Sequence, residues 1–301
     1  MKRISIRQAM QAEMPLVTPL AHDALSARLI AQSGFRAFTV GGSAMLAARH
    51  AFPDIGLIGV RDMVEGLRDL AAATDLPFLA DADDGYGDVK AVARMVAAYE
   101  AIGVGGFLLE DQDRDRKQQR ADHGGAVVDI SVIEQKLVTA LAVRSNPDTF
   151  VIGRTDAFGA LGMDEALRRA ERFLQLGCDG IFIAGLKTHE DYERVGRTFN
   201  GAMLSAATFE GSAIPWLSPA ELGAMGFRHV SYPASLIFRI TQTMSNTLAE
   251  LRAASLGQAS FKPMDEPDKA RAALDSAVQL HAWRALETSA TARQAANKKK
   301  P

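Results

Sequence analysis

An apolar segment that breaks into aspartates, Phe78-Leu-Ala-Asp-Ala-Asp-Asp-Gly-Tyr-Gly87, carries the residues of this chain best suited to chemistry. Residues i and i+2 of a strand share a face, so Asp81 and Asp83 are expected to point the same way. Two carboxylates held side by side repel unless a cation joins them. Hard divalent ions such as Mg²⁺ are bound by one or two carboxylates together with waters and substrate oxygens. A bare D-x-D is also what a solvated polar loop looks like, so its meaning depends on the elements around it.

Those elements alternate. Strands are predicted at Leu16–Leu20, Arg36–Val40, Phe78–Asp81, Gly106–Glu110, Phe150–Arg154, Gly180–Ile183, Met203–Ala206 and His229–Tyr232. Each is followed by a predicted helix: Ala24–Gln32, Val60–Thr74, Val89–Ile102, Ile130–Val143, Asp164–Leu176, His189–Thr198, Pro219–Met225 and Ser235–Ala254. Glycines at Gly34, Gly103, Gly177 and Gly226 mark helix ends. Eight strand–helix repeats read as a parallel sheet closed into a (β/α)₈ barrel. A doubly wound open sheet would carry a glycine-rich loop after its first strand, where this chain has His22-Asp-Ala-Leu-Ser26. In the barrel, Asp81 and Asp83, Glu110 and Asp111, Arg154 and Asp156, and Gly41-Gly-Ser43 all fall at C-terminal strand ends, where barrel active sites sit. Gln112–Asp129, long and charged, is expected to act as a lid.

Bulk properties narrow the class. The 301 residues carry a formal charge of −2, with 48% hydrophobic and 23% charged residues, as ordinary globular proteins do. That balance argues against a nucleic-acid or membrane-surface role, either of which needs a basic face. No run of about 18 apolar residues occurs, and Met1-Lys-Arg-Ile lacks a signal-peptide core. With one cysteine, Cys178, no intrachain disulfide can form. A cytoplasmic protein is expected.

The ordered set His22-Asp-Ala-Leu-Ser-Ala27, Gly41-Gly-Ser43, Pro53-Asp54, Asp81-Ala-Asp-Asp-Gly-Tyr-Gly87, Glu110-Asp-Gln112, Arg154-Thr-Asp-Ala157, Gly177-Cys-Asp-Gly-Ile-Phe182, Glu210-Gly211 and Tyr232-Pro233 resembles the isocitrate lyase / phosphoenolpyruvate mutase superfamily. The resemblance covers residues 1 to about 255. It implies cleavage of a C–C or P–C bond in a small 2-oxo or 2-hydroxy carboxylate through an enolate stabilised by Mg²⁺ or Mn²⁺. By the same resemblance, Asp83 is the main metal carboxylate, with Asp54, Asp81 and Glu110 held partly through water. The amides around Gly42, Ser43 and Ala44 hold the substrate carboxylate, and Arg154 meets the oxygen that gains charge. Glu210 and Tyr232 fall at the substrate. A metal, an arginine and preorganised amides are what a developing enolate requires.

The departures direct the choice of reaction. Lyases of the superfamily carry a cysteine in the loop after strand four. Here that position is Gln118, or Ala121 if His123-Gly124 is the anchor. Cys178 lies beside strand six, as a small core residue would. The lyases' strand-six glutamate is Ala184, and their asparagine near strand seven is Ala207. The enolate-stabilising core without the lyase acid resembles the oxaloacetate decarboxylases of the superfamily, since CO₂ leaves without a proton. Asp156, Tyr86, His123 and Tyr232 are candidates to return the proton. The alternatives are a methylisocitrate lyase-like or other C–C or P–C lyase, a hydrolase or mutase with a more apolar substrate near Phe158, Phe209 and Trp216, and a non-catalytic barrel.

The histidines show no zinc-ligand spacing. The expected organisation is a barrel over 1–257, a helical extension over 258–290 holding a helix Asp265–Thr288, and a disordered tail over 291–301. The resemblance implies that the extra helix is swapped between subunits of a homotetramer, a dimer of dimers.

Overall fold

The computed structural model describes residues 3–117, 126–210 and 216–297. The expected lid centre at 118–125, the Gly211 of the Glu210-Gly211 motif and the end of the tail lie outside the described residues. The chain divides into two compact units, one ending at Arg239 and one beginning at Ile240.

The first unit is the barrel. Its strands are β1 (Leu16–Pro19), β2 (Phe38–Val40), β3 (Phe78–Asp81), β4 (Gly106–Glu110), β5 (Phe150–Thr155), β6 (Gly180–Ile183), β7 (Leu204–Ala207) and β8 (Phe227–Tyr232). They run parallel in the order β1-β8-β7-β6-β5-β4-β3-β2, and a single parallel bridge, Leu20 against Thr39, joins the two ends of the sheet. The (β/α)₈ architecture expected from the alternation is the architecture found. Strand boundaries agree to within about two residues, the usual uncertainty of element ends.

The helices of this unit are α1 (Ile6–Ala12), α2 (Ala24–Gln32), α3 (Gly42–His50), α4 (Val60–Ala73), α5 (Val89–Ile102), α6 (Ile130–Val143), α7 (Ala157–Leu161), α8 (Met163–Gln175), α9 (His189–Thr198) and α10 (Pro219–Ala224). The pattern of repeats does not reveal α1, α3 and α7. Helix α1 opens with a reciprocal cap between Ser5 and Gln8, a readable local signal. Its Ile6, Ala9 and Met10 are buried in one cluster with Leu16, Ala37, Leu79, Phe150, Ile152 and Met203. The first helix therefore packs on residues at or near the starts of five strands. A second and larger apolar cluster joins the strands to the surrounding helices.

One polar chain runs through the barrel interior. His229 is 1% exposed; its Nε2 meets Thr18 Oγ1 at 2.7 Å and its Nδ1 meets Ser205 Oγ at 2.6 Å. Thr18 Oγ1 in turn meets Thr39 Oγ1 at 2.6 Å. Burial pushes the imidazole down to about 4, so the ring is neutral and fully paired at physiological pH. Cys178 is buried, and burial raises its thiol to about 12. It is a core residue, as its place beside β6 suggests.

The second unit holds most of α11 (Ser235–Ser255), then α12 (Pro267–Ala277) and α13 (Leu280–Asn297). The sequence predicts one helix over 265–288; the structure has two, broken at Val278–Gln279. Gln279 adopts φ 55, a left-handed conformation that ends the preceding helix. No helix among the described residues is long and apolar enough to cross a membrane.

Candidate active site

The turn after β3 builds the centre of the site. The strand ends at Asp81, and Asp83 takes φ 46, followed by Gly85 at φ 86, Tyr86 at φ 61 and Gly87 at φ 144. The expectation that strand alternation aligns Asp81 with Asp83 therefore fails in its reason. Asp83 lies beyond the strand in the left-handed region, a conformation that costs a non-glycine residue about 1 kcal/mol or more. Its amide donates to Asp81 Oδ1 at 2.9 Å, and its carbonyl accepts from the Glu110 amide at 2.9 Å. The outcome is nonetheless convergence: carboxylate oxygens of Asp81, Asp83 and Glu110 lie within 4.8 Å of one another.

Burial makes this cluster costly without a cation. Asp83 is 3% and Glu110 2% exposed. Desolvation, with the Asp81 charge adding to it, raises Asp83 to about 6 against the pull of Lys117. Burial likewise pushes Glu110 well above the ordinary carboxylate range, although Arg154 opposes it. Asp83 Oδ2 is buried and accepts no hydrogen bond. Converging hard oxygens with one unused acceptor fit a divalent cation, which Asp81, Asp83 and Glu110 would hold.

Positive groups of the chain already lean on these oxygens. Lys117 Nζ hydrogen-bonds Asp83 Oδ1 and lies 3.1 Å from Asp54 and 3.6 Å from Glu110. Asp54, placed by the resemblance near the metal, thus reaches the cluster through Lys117. Arg114 meets Asp84 at 3.0 Å and donates to the carbonyls of Gly56 and Ile58. Lys117 and Arg114 are the functional residues that sequence reading misses. Arg114 opens the 3-10 turn Arg114–Arg116 and Lys117 caps it, and a polar run reveals no such turn by periodicity.

Arg154 faces Glu110 across the β4–β5 pairing. It contacts Glu110 at 2.8 Å and grips Asp156 with two hydrogen bonds of 3.0 Å. Burial works against its charge, but Asp156 and Glu110 outweigh it, leaving the guanidinium more firmly protonated than usual. Asp111, beside Glu110, is fully buried and serves as a tie: it accepts from Thr155 Oγ1 at 2.6 Å, the Asp156 amide at 2.9 Å and Arg169 at 2.9 Å.

The remaining candidates separate. Gly42, Ser43 and Ala44 form the first turn of α3, whose N-terminus has no side-chain cap, an end suited to an anion. The Gly42 amide itself donates to Asp81 Oδ2 at 3.2 Å. Tyr86 turns its hydroxyl to Tyr99 at 3.0 Å and to the Asp81 carbonyl at 3.4 Å, so it braces the back of β3. Glu210 makes two 3.1 Å hydrogen bonds with Arg239. Tyr232 lies against Trp216, ring centroids 5.5 Å apart.

Beside the cluster opens a cavity of about 280 Å³. Asp81, Arg154 and Asp156 line one part; Leu20, Val40, Ile183, Ala184, Ala207 and Phe209 line much of the rest. Among the described residues no cysteine, histidine, glutamate or lysine lines it. A larger hollow, about 560 Å³, lies around Arg3, Gln8, Gly105 and Asn146. Its Glu100 is consumed by Ser145, Asn146 and Thr149.

The phosphoenolpyruvate phosphomutase family model matches residues 6–252. The chain belongs to this family, within the isocitrate lyase / PEP mutase superfamily. Among family relatives, 2,3-dimethylmalate lyase of Eubacterium barkeri is 34% identical over 249 residues, 82% of this chain and 85% of that protein. The 2-methylisocitrate lyase of Bacillus subtilis is 32% identical over 229 residues, 76% and 74% of the two chains. Oxaloacetate acetylhydrolase, solved with 3,3-difluorooxalacetate, superposes with a TM-score of 0.86 at 26% identity, covering 95% of this chain and 96% of that one. Phosphonopyruvate hydrolase, solved with oxalate and Mg²⁺, gives 0.78 at 26% identity over 95% and 99%. This member of the PEP phosphomutase family is an enzyme of the carbon–carbon lyase class, and its acidic triad suits a divalent metal.

Proposed function

We propose that the enzyme is a Mg²⁺- or Mn²⁺-dependent decarboxylase-type lyase acting on oxaloacetate or a closely related small 2-oxo diacid. The observation that carries this reading is the cavity, which joins a cation-binding carboxylate cluster and Arg154 to walls that hold no cysteine, histidine, glutamate or lysine among the described residues. The cation, when bound, supplies Lewis-acid stabilisation of the negative charge that C–C cleavage leaves on the former carbonyl oxygen. The chain's own groups do the rest. Arg154, held in place by Glu110 and Asp156, offers its guanidinium to the same developing charge. The α3 N-terminus offers amides to the substrate carboxylate. Ala184 and Ala207 form an apolar wall, where a departing carboxylate gains by becoming neutral CO₂.

Cleavage of methylisocitrate needs a proton on the departing fragment, and loss of one positioned acid costs about 10²–10⁴ in rate. Pyruvate release from oxaloacetate, corrected for its metal-stimulated spontaneous decay, should therefore exceed pyruvate release from methylisocitrate and glyoxylate release from isocitrate. Faster cleavage of methylisocitrate by the pure protein would replace the decarboxylase reading with the lyase one. A second reading has its own support: the apolar walls at Leu20, Val40 and Ile183 suit an alkyl-substituted malate, as the dimethylmalate lyase relative also suggests. 2,3-Dimethylmalate belongs in the same assay.

A further inference from the structure

We propose that Lys117 is the resident counter-cation of the carboxylate seat, and that a divalent ion must displace its ammonium in order to bind. This rests on the metal-dependent reading above and adds a residue that competes for the metal's own oxygens.

The geometry is specific. Lys117 Nζ is in contact with Asp83, Asp54 and Glu110 together, and Asp83 and Glu110 are two of the three residues whose oxygens converge for a metal. The lysine side chain is only 10% exposed, although it sits within a polar run of sequence. Among the described residues it has no hydrogen bond or ion pair outside this cluster. A divalent ion at coordinating distance from the same oxygens would stand within a few ångströms of the ammonium, and like charges at that separation repel strongly in a site shielded from water. The two cations are alternatives.

Arg114 behaves differently. It is fixed by Asp84 and by the carbonyls of Gly56 and Ile58, so it stays when Lys117 leaves. Its nearest approach to Asp83 Oδ2 is 3.8 Å, outside hydrogen-bond distance. The 3-10 turn thus remains docked through Arg114, and only the flexible lysine side chain needs to swing away. The ammonium neutralises part of the seat's charge before metal binds, and the metal takes over that role afterwards.

The test is metal affinity in the absence of substrate. Lys117→Met and Lys117→Gln should bind Mn²⁺ about tenfold more tightly or better, by titration calorimetry or by the electron paramagnetic resonance signal of free Mn²⁺, because they remove a competing buried ion pair. Lys117→Arg, which keeps the charge, should stay close to wild type. Both neutral variants should melt lower than wild type without metal and gain more in Tm when Mn²⁺ is added. An experiment without substitution runs alongside: amine acylation of the native chain, read by mass spectrometry, should modify Lys117 faster with Mg²⁺ than with chelator. Equal or weaker Mn²⁺ binding by both neutral variants, or acylation of Lys117 indifferent to Mg²⁺, overturns the proposal while leaving the metal site intact. Failure of wild type and variants alike to bind any divalent ion removes the metal reading itself.

Discussion

Asp83 combines a left-handed backbone, near-complete burial and an oxygen without a hydrogen bond. Each is a cost that an ordinary structural aspartate would not carry, and a bound cation offsets the last two. Its folded-state value of about 6 stands above the unfolded-chain reference of 3.8. A carboxyl raised in this way adds stability below the unfolded value, and the contribution is lost as pH rises through the folded one. Metal-free protein at pH 7.5 therefore holds a charged Asp83 at a loss. Asp83→Asn should keep the fold, melt no lower than metal-free wild type at pH 7.5, and lose divalent-dependent turnover. Wild-type turnover in metal-supplemented buffer would exclude Asp83 from the metal's ligands. Asp81, Asp83, Glu110 and Arg154 are legible in the sequence because polar residues break off apolar strand segments at corresponding places. Lys117 is not, since a lysine inside Asp113–Arg120 has no pattern until the chain folds back. Tyr86, legible as a glycine-flanked tyrosine, is assigned a catalytic role that its contacts with Tyr99 and Asp81 do not favour.

At the level of elements, the strands and the long helices follow from hydrophobic period and helix-end glycines. What escapes is short. Helix α3 begins in Gly41-Gly-Ser43, where two glycines argue for a loop, yet Gly41 serves as its N-cap and Gly42 lies close to Asp81. A Cβ on Gly42 would stand 3.5 Å from Asp81 Oδ2, an ordinary contact, so it is the amide rather than the missing side chain that ties this position to that oxygen. Helix α7, five residues long, sits between Asp156 and Gly162 and is too short for a periodic signal. The β4–β5 pairing does more for the site than any helix. It sets Glu110 opposite Arg154 and lets Asp111, one residue on, tie the end of β5 to Arg169 of α8.

At the scale of the molecule, the second unit presents an unusual amount of apolar side chain. Met244, Leu248, Leu274, Val278, Trp283 and Leu286 are each between 46% and 64% exposed. Large apolar side chains left this exposed on a single chain point to a contact with another one. We propose the homotetramer that the sequence resemblance implies, with these helices in the subunit contacts. Light scattering of the full-length chain should give four subunits, and truncation after Gly257 should give smaller or insoluble species; a full-length monomer would refute it. The barrel itself has an uneven circumference. Seven of its neighbouring strand pairs share extended registers, whereas β1 and β2 meet at one bridge, Leu20 with Thr39. Those two residues also line the cavity. The wall of the reaction chamber is therefore the least stitched part of the sheet, and it can breathe while the metal-binding strands stay clamped. Substrates differing by a methyl group then share one barrel, the slack being taken up along the β1–β2 seam. Amide exchange should report it: the Ala21 amide, bonded to Thr39 at 2.9 Å, should exchange faster than the Ala82 amide, bonded to Leu108 at the same distance. Equal protection of the two would mean that the chamber is as rigid at its seam as everywhere else.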